Sequence, residues 1–270
     1  MFRDNGPRAK MSGKKLKVLL AEDDPATGIL AKMNLEKLGL EVEMATNGKE
    51  ALDMWRAHGH RAVLLDFNMP RMSGLDVARA IRQDEEKNSA GYTRIILITA
   101  KPLDHLAATQ TRGVVNMMIS KPVDYAEVYN KLEDLFFGRG AVAPKNESGG
   151  DDDDTDDTMN PPLDLQELEE SVGADGLADI LSIFIRQADE YVLEIEKALG
   201  QGDGLRVSQL AHKLKGSSAQ FTARAMVEPA EYLQKNCDEK TVGDDAPRML
   251  EILKRELAAV KQYAREQVGL

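Results

Sequence analysis

The sequence predicts an α/β domain built on a five-stranded, doubly wound parallel sheet, followed by a separate all-α domain, a four-helix bundle. Three observations predict this. In the first half, apolar runs of strand length alternate with amphipathic stretches. After Phe137 the composition breaks into glycine, proline and a dense block of aspartate. Beyond that block, apolar residues recur at helical spacing and no strand-like run returns. A chain of 270 residues is long enough for two modest domains with a core each.

In chain order, the strand candidates are Lys17–Ala21, Val42–Ala45, Ala62–Asp66, Ile95–Thr99 and Val114–Ile119. Between them, Ala26–Leu38 places Ile29, Leu30, Met33 and Leu38 near helical spacing. Asn47 followed by Glu50 reads as the start of a second helix, Asp104 of a fourth and Asp124 of a fifth. Strands alternating with helices imply a parallel sheet covered on both faces. In such sheets functional groups gather beyond the carboxyl ends of the strands, near the point where strand order reverses. The stretch 138–162 cannot bury enough apolar surface to offset its ordering, and its aspartates repel one another, so it reads as an extended linker. Aspartate runs attract divalent cations weakly, but nothing here fixes a ligand geometry. The second domain, 163–270, opens on a stripe of Leu177, Ile180, Leu181, Phe184, Ile185, Ala188, Tyr191, Val192 and Ile195. Segments near Leu205–Phe221 and Ala225–Lys235 supply two more helices. Asp244 or Asp245 before Pro247 starts the last, with Met249, Leu250, Leu253, Leu257 and Val260 on its buried side. The expected organisation is therefore a basic, disordered tail at 1–14, an α/β domain at 15–137, the linker, and an antiparallel bundle.

Charge and composition exclude several classes. A net charge of -11 argues against non-specific affinity for nucleic acid or anionic membrane. The N-terminal segment lacks the apolar stretch of a signal peptide, and no run is long and apolar enough to span a bilayer. The single Cys237 cannot form an internal disulfide and fits a reducing cytosol, so a cytoplasmic location is expected, with Cys237 at a helix surface or half-buried.

Acidic residues fall where the α/β fold places its site. Glu22, Asp23 and Asp24 follow the first strand, and Asp66 ends the third. Carboxylates converging on one edge repel one another unless a cation neutralises them. Thr99 ends the fourth strand, and Lys121 with Pro122 follows the fifth. A hydroxyl, an ammonium and a metal around one carboxylate are what phosphoryl transfer to that carboxylate needs, because the moving group spreads charge over three oxygens. Mg²⁺ suits such a site: it takes few carboxylates and keeps waters and phosphate oxygens.

The stretches VLLAEDDPA at 18–26, VLLDFNMPRMSGLD at 63–76, IILITA at 95–100 and ISKPVD at 119–124 resemble the flavodoxin-like receiver domains of two-component response regulators. The resemblance implies that Asp66 is the phosphoacceptor, that Glu22 and Asp23 are the acidic metal-binding pair, and that Asn68 offers its backbone carbonyl to Mg²⁺. It implies that Thr99 supplies the hydroxyl that follows phosphorylation, that Lys121 pairs with the phosphate, and that the Lys121–Pro122 bond is cis. Three positions before the lysine, where receivers usually carry an aromatic switch residue, this chain has Met118, which lacks a ring and hydroxyl.

In the second domain, AHKLKGSSAQF spans 211–221. Leu210, Leu214, Ser217 and Phe221 share a helix face that should point into the bundle. His212, about 200° round from Leu210, should project to solvent with Lys215 and Gly216 beside it. A phosphorylatable imidazole must be accessible, a nearby ammonium steadies phosphoryl oxygens, and glycine clears room for a partner. The segment resembles histidine-phosphotransfer (Hpt) domains: His212, Lys215, Gly216, Ser217 and Ser218 match their motif. Some members orient the imidazole with a glutamine from the next helix, for which Gln234 is the candidate, and members often carry glycine where this chain has Thr222. His58, His60 and His105 are expected to be exposed and without a role.

Together the resemblances imply a phosphorelay protein whose partners are a sensor histidine kinase and a downstream response regulator. Neither half resembles a kinase, since no glycine-rich nucleotide loop lies in a strand–helix context, and no basic recognition helix follows the receiver. Three other readings compete. A phosphatase of the haloacid dehalogenase type would want aspartate at Asn68. A phosphorylation-independent interaction module would not need Glu22, Asp23, Asp66, Thr99 and Lys121 together. A phosphate sink would use the same residues as a relay.

Overall fold

The computed structural model describes residues 15–88, 91–100, 111–137 and 161–270. The expected tail, the helix start at Asp104, His105 and all but the end of the linker lie outside the described residues. The chain divides into two compact units.

The first unit is a five-stranded sheet in the order β2-β1-β3-β4-β5, with every neighbouring pair parallel. Its strands are β1 (Lys17–Ala21), β2 (Glu41–Ala45), β3 (Ala62–Asp66), β4 (Arg94–Thr99) and β5 (Met117–Ser120). The central strands read as unbroken apolar runs because helices cover both of their faces, and Val63, Leu64, Leu65, Ile95, Ile96 and Leu97 are completely buried. Three helices are described here, α1 (Pro25–Lys37), α2 (Gly48–His58) and α3 (Gly74–Asn88), together with the start of α4 (Tyr125–Phe137), within which the division between the units falls, after Tyr129.

Local chemistry sets where these helices start. Asp24 caps α1 by accepting from the Thr27 N–H at 2.9 Å, and Pro25 occupies the first turn, where its missing N–H costs nothing. Asn47 caps α2 through the Glu50 N–H at 3.0 Å, while Glu50 reaches back to the Thr46 N–H at 2.8 Å. One core joins Leu19, Val63, Leu65, Ile95 and Leu97 of the sheet to Leu52 and Trp55 of α2 and to Val77 and Ile81 of α3. Each such side chain contributes about 1.5–3 kcal/mol by leaving water.

The second unit comprises α5 (Leu165–Val172), α6 (Ala174–Gln201), α7 (Gly204–Gln220), a 3₁₀ turn at Arg224–Met226, α8 (Val227–Asn236) and α9 (Ala246–Val268). α6 packs on α7 and α9, and α8 packs on the same two, which closes a four-helix bundle. Phe184 of α6 and Phe221 after α7 stack with centroids 4.5 Å apart, and both are completely buried.

Several expectations are corrected. The fifth strand begins at Met117 rather than Val114, because the amides of Val114 and Val115 bond back to the Thr111 carbonyl in a turn. The short helix α5 precedes the four main ones; its eight residues bury only Leu168 fully, too faint a stripe to stand out in the sequence. Asp245 stands at the start of α9 but makes no side-chain cap. Cys237 is buried at the end of α8 rather than at a surface. His60 lies outside any helix and is buried, against the expectation of an exposed ring.

Candidate functional site

Strand order brings the acidic residues together. β1 lies between β2 and β3, so the residues that follow β1 meet the end of β3 at the carboxyl edge of the sheet. Glu22, Asp23 and Asp66 bring carboxylate oxygens within 4.8 Å of one another. Asp66 is 5% and Glu22 5% exposed, so their charges are largely withdrawn from water. Lys121 reaches across from the end of β5 and donates to Glu22 Oε2 at 2.8 Å and to Asp66 Oδ2 at 3.0 Å. The Lys121–Pro122 bond is cis, as expected from the resemblance.

The electrostatics follow from burial. Loss of water, reinforced by the nearby Asp66 charge, pushes the Glu22 carboxyl above its usual range despite the attraction of Lys121. Burial alone would lower the Lys121 ammonium, but Glu22 and Asp66 outweigh it and hold the group firmly protonated. Two buried carboxylates thus share one ammonium and favour an additional positive charge. The donor set, carboxylate oxygens with one ammonium beside them, fits a hard divalent cation such as Mg²⁺.

Thr99 is completely buried at the end of β4, in register with Ser120, and its carbonyl accepts from the Lys121 N–H at 2.8 Å. Asn68 is exposed in the turn just beyond β3. Met118 lies beside Leu97 on β4 and packs against the sheet core.

Two residues near this edge escaped the sequence reading. Gly74 opens α3 so close to β3 that a Cβ there would stand 2.2 Å from the Asp66 carbonyl oxygen; its signal was its place inside the matched stretch after Asp66. Tyr125 is buried at the start of α4, and burial pushes its phenol well above the usual range, with the Glu22 charge adding to the effect. A lone tyrosine after Lys-Pro gave no signal.

In the second unit, His212 lies on α7 and is half-buried, not fully projecting as expected. The cause is Gln234 of α8, whose Nε2 is 2.9 Å from His212 Nδ1. The Oε1 of the same amide is buried without a hydrogen-bond partner. Lys215, one turn on, holds Nζ 3.8 Å from Glu231. Around Gly216 there is open space: an added Cβ would meet nothing within 4 Å. Thr222 adopts φ 58°, the left-handed conformation in which glycine is usual, and its Oγ1 accepts from the Asp164 N–H at 2.8 Å. The fold thus brings Glu22, Asp23, Asp66 and Lys121 into one cluster, and His212 and Gln234 into another.

A parallel sheet with buried carboxylates and an ammonium at its carboxyl edge, followed by a helical bundle bearing a glutamine-bound histidine, is the architecture of phosphorelay signalling modules. Residues 18–133 match the response regulator receiver domain, and residues 179–263 match the Hpt domain. The chain therefore carries a response regulator receiver domain followed by an Hpt domain. It is similar to the virulence sensor protein BvgS of Bordetella pertussis, 29% identical over 229 residues, which cover 82% of this chain and 18% of that protein. It is also similar to the aerobic respiration control sensor protein ArcB of Escherichia coli, 26% identical over 219 residues, covering 81% of this chain and 28% of ArcB. The chain spans less than a third of either relative. Among solved structures, the Vibrio cholerae chemotaxis protein CheY4 is 24% identical and aligns with a TM-score of 0.41, covering 45% of this chain and 99% of that one. No described helix is long and apolar enough to cross a membrane.

Proposed function

We propose that Asp66 accepts a phosphoryl group from the phosphohistidine of a sensor kinase, and that His212 carries one to or from the receiver domain of a response regulator. In the first step the P–N bond of the donor breaks as a P–O bond forms to an Asp66 carboxylate oxygen, giving an acyl phosphate. The observation that carries this reading is the Lys121 ammonium held 3.0 Å from Asp66 within a cluster of three carboxylates. Lys121 neutralises part of the incoming charge, and the Thr99 hydroxyl is the donor we assign to the phosphoryl oxygens. Glu22, Asp23, Asp66 and the Asn68 carbonyl would hold Mg²⁺, which supplies the remaining neutralisation when bound.

For His212 we assign the reacting atom as Nε2, because Gln234 engages Nδ1. Attack through Nε2 requires the proton on Nδ1, with the amide presenting its oxygen there. Turning the Gln234 amide would give its buried Oε1 that partner. Lys215, beside His212 on α7, is the cation assigned to the transferred group. Gly216 leaves open space for the partner's strand-end loops. The receiver and Hpt modules matched in this chain accept and pass phosphoryl groups, and we assign the kinase activity of the relay to a different module. Its place of action is the cytoplasm.

The test is phosphate uptake from acetyl phosphate with Mg²⁺, comparing wild type with Asp66→Ala and His212→Ala. A base-labile acyl phosphate is expected in wild type and His212→Ala, and absent from Asp66→Ala. An acid-labile phosphohistidine is expected only where His212 is intact. Undiminished base-labile label in Asp66→Ala would overturn the assignment.

A further inference from the structure

At the opposite edge of the same sheet, three side chains that the phosphoryl chemistry does not use converge. Glu43 lies on the edge strand β2, His58 is the last residue of α2, and His60 lies just before β3. Between the histidines, Gly59 adopts the left-handed conformation, φ 64°, that ends α2. The reversal brings both rings to the same carboxylate. His58 Nδ1 is 2.6 Å and His60 Nε2 2.9 Å from a single oxygen, Glu43 Oε2. All three ligand atoms lie within 4.8 Å of one another.

We propose that Glu43, His58 and His60 form a binding site for a borderline divalent transition cation, of which Zn²⁺ is the type. Two imidazoles and one carboxylate form a set that this class of ion favours, whereas Mg²⁺ and Ca²⁺ prefer oxygen alone. Three protein ligands leave a fourth position for water. Tetrahedral coordination at normal bond lengths separates ligand atoms by about 3.3 Å. The triad must therefore open, by about 0.7 Å between His58 and Glu43 and about 0.4 Å between His60 and Glu43, and the His58 side chain, 51% exposed, has room to do so. His60, by contrast, is held by burial, its side chain 1% exposed. Glu43, 28% exposed, leaves the ion a path from solvent. Lys17 lies 3.7 Å from the other oxygen, Oε1, and makes its closer contact with Glu41 at 3.1 Å. A bound ion would tie edge strand β2 to the turn before β3, so binding should stabilise the receiver domain as well as sequester metal.

The test is calorimetric titration of the full chain with Zn²⁺ in buffer holding millimolar Mg²⁺, which occupies the Asp66 edge and screens the aspartate run. Wild type should take up one Zn²⁺, with its unfolding temperature raised. His58→Gln changes an exposed side chain and so spares the fold; it should abolish that temperature rise and weaken binding. The same is expected of Glu43→Gln, whereas Asp66→Asn should bind as wild type does. Outer-sphere partners alone are worth about 10–100-fold in metal affinity, so losing a direct ligand should cost at least about tenfold. Equal uptake by wild type and His58→Gln would overturn the proposal, as would no uptake by wild type, which would leave a hydrogen-bonded triad only.

Discussion

At the scale of the residue, Lys121 and Glu22 decide the behaviour of the phosphoacceptor edge. Lys121 is the ammonium shared by two buried carboxylates, so Lys121→Met leaves Glu22 and Asp66 facing each other uncompensated. Removing one partner of a buried ion pair costs about 3–5 kcal/mol. One of the two carboxylates can relieve that cost by taking up a proton, so the loss should be smaller at pH 5 than at pH 7.5. Thermal unfolding in metal-free buffer at the two pH values checks this, and equal losses would count against the shared-ammonium account. Glu22 gives a second prediction. Its carboxyl is raised in the folded protein, first by burial and then by the Asp66 charge. A raised acid means that the folded state holds an extra proton above the ordinary glutamate value of about 4.3. The stabilisation from that proton is fully present below the unfolded value and is lost as pH rises through the folded one. Stability of the metal-free receiver should therefore fall as pH rises from about 4.3 to about 8. Mg²⁺ replaces that proton, so its affinity should climb over the same interval and offset the fall. Unfolding scans with and without Mg²⁺ across this range, together with Mg²⁺ titrations, measure both; a pH-independent Mg²⁺ affinity would contradict the proton exchange.

At the scale of the element, α7 has one face that builds the bundle and another that borders open space at Gly216. Leu210, Leu214 and Ser217 are buried within the bundle, while Gly216 borders open space. Glycine inside a helix costs about 0.5–1 kcal/mol relative to alanine, and nothing within the bundle requires it at this position. Gly216→Ala should raise stability by about that amount and slow phosphoryl transfer between His212 and a phosphorylated receiver. Denaturant unfolding and transfer kinetics separate the two effects, and unchanged transfer would remove the docking role. Periodicity and capping chemistry made most such elements legible in the sequence. The buried runs of β1, β3 and β4 and the Asn47–Glu50 box declared themselves, because burial on both faces and cap hydrogen bonds depend on nearby residues. The strand-end carboxylates were legible for the same reason, since a strand's end fixes where they point. What escaped depended on contacts distant in sequence. His212 is half-buried because of Gln234 on another helix, β5 starts late because of the Thr111 turn, and Glu43 meets His58 and His60 only once β2 lies beside α2.

At the scale of the whole molecule, the break in composition after Phe137 predicts two domains; the structure divides into two compact units between Tyr129 and Asn130, each with its own apolar interior. The receiver interior joins sheet residues such as Leu19, Leu65 and Ile95 to α2 and α3. The bundle interior centres on the stacked Phe184 and Phe221. Domains with separate cores unfold as separate cooperative units, each answering only to changes within itself. Calorimetry of the full chain should therefore show two transitions. Mg²⁺ should raise only one of them, and Asp66→Asn should blunt that rise, because the acidic edge belongs to the receiver. Phe221→Ala should lower only the other, by the equivalent of about 3–5 kcal/mol, since truncating a fully buried aromatic both forfeits its transfer energy and leaves a cavity. The phosphate experiment would gain from the same independence. A Phe221→Ala chain that loses His212 labelling yet keeps the Asp66 adduct would place the two acceptors on separately folding supports. A single transition moved bodily by either change would mean that the two cores melt as one, and the two-domain organisation would then have to be abandoned as a thermodynamic description.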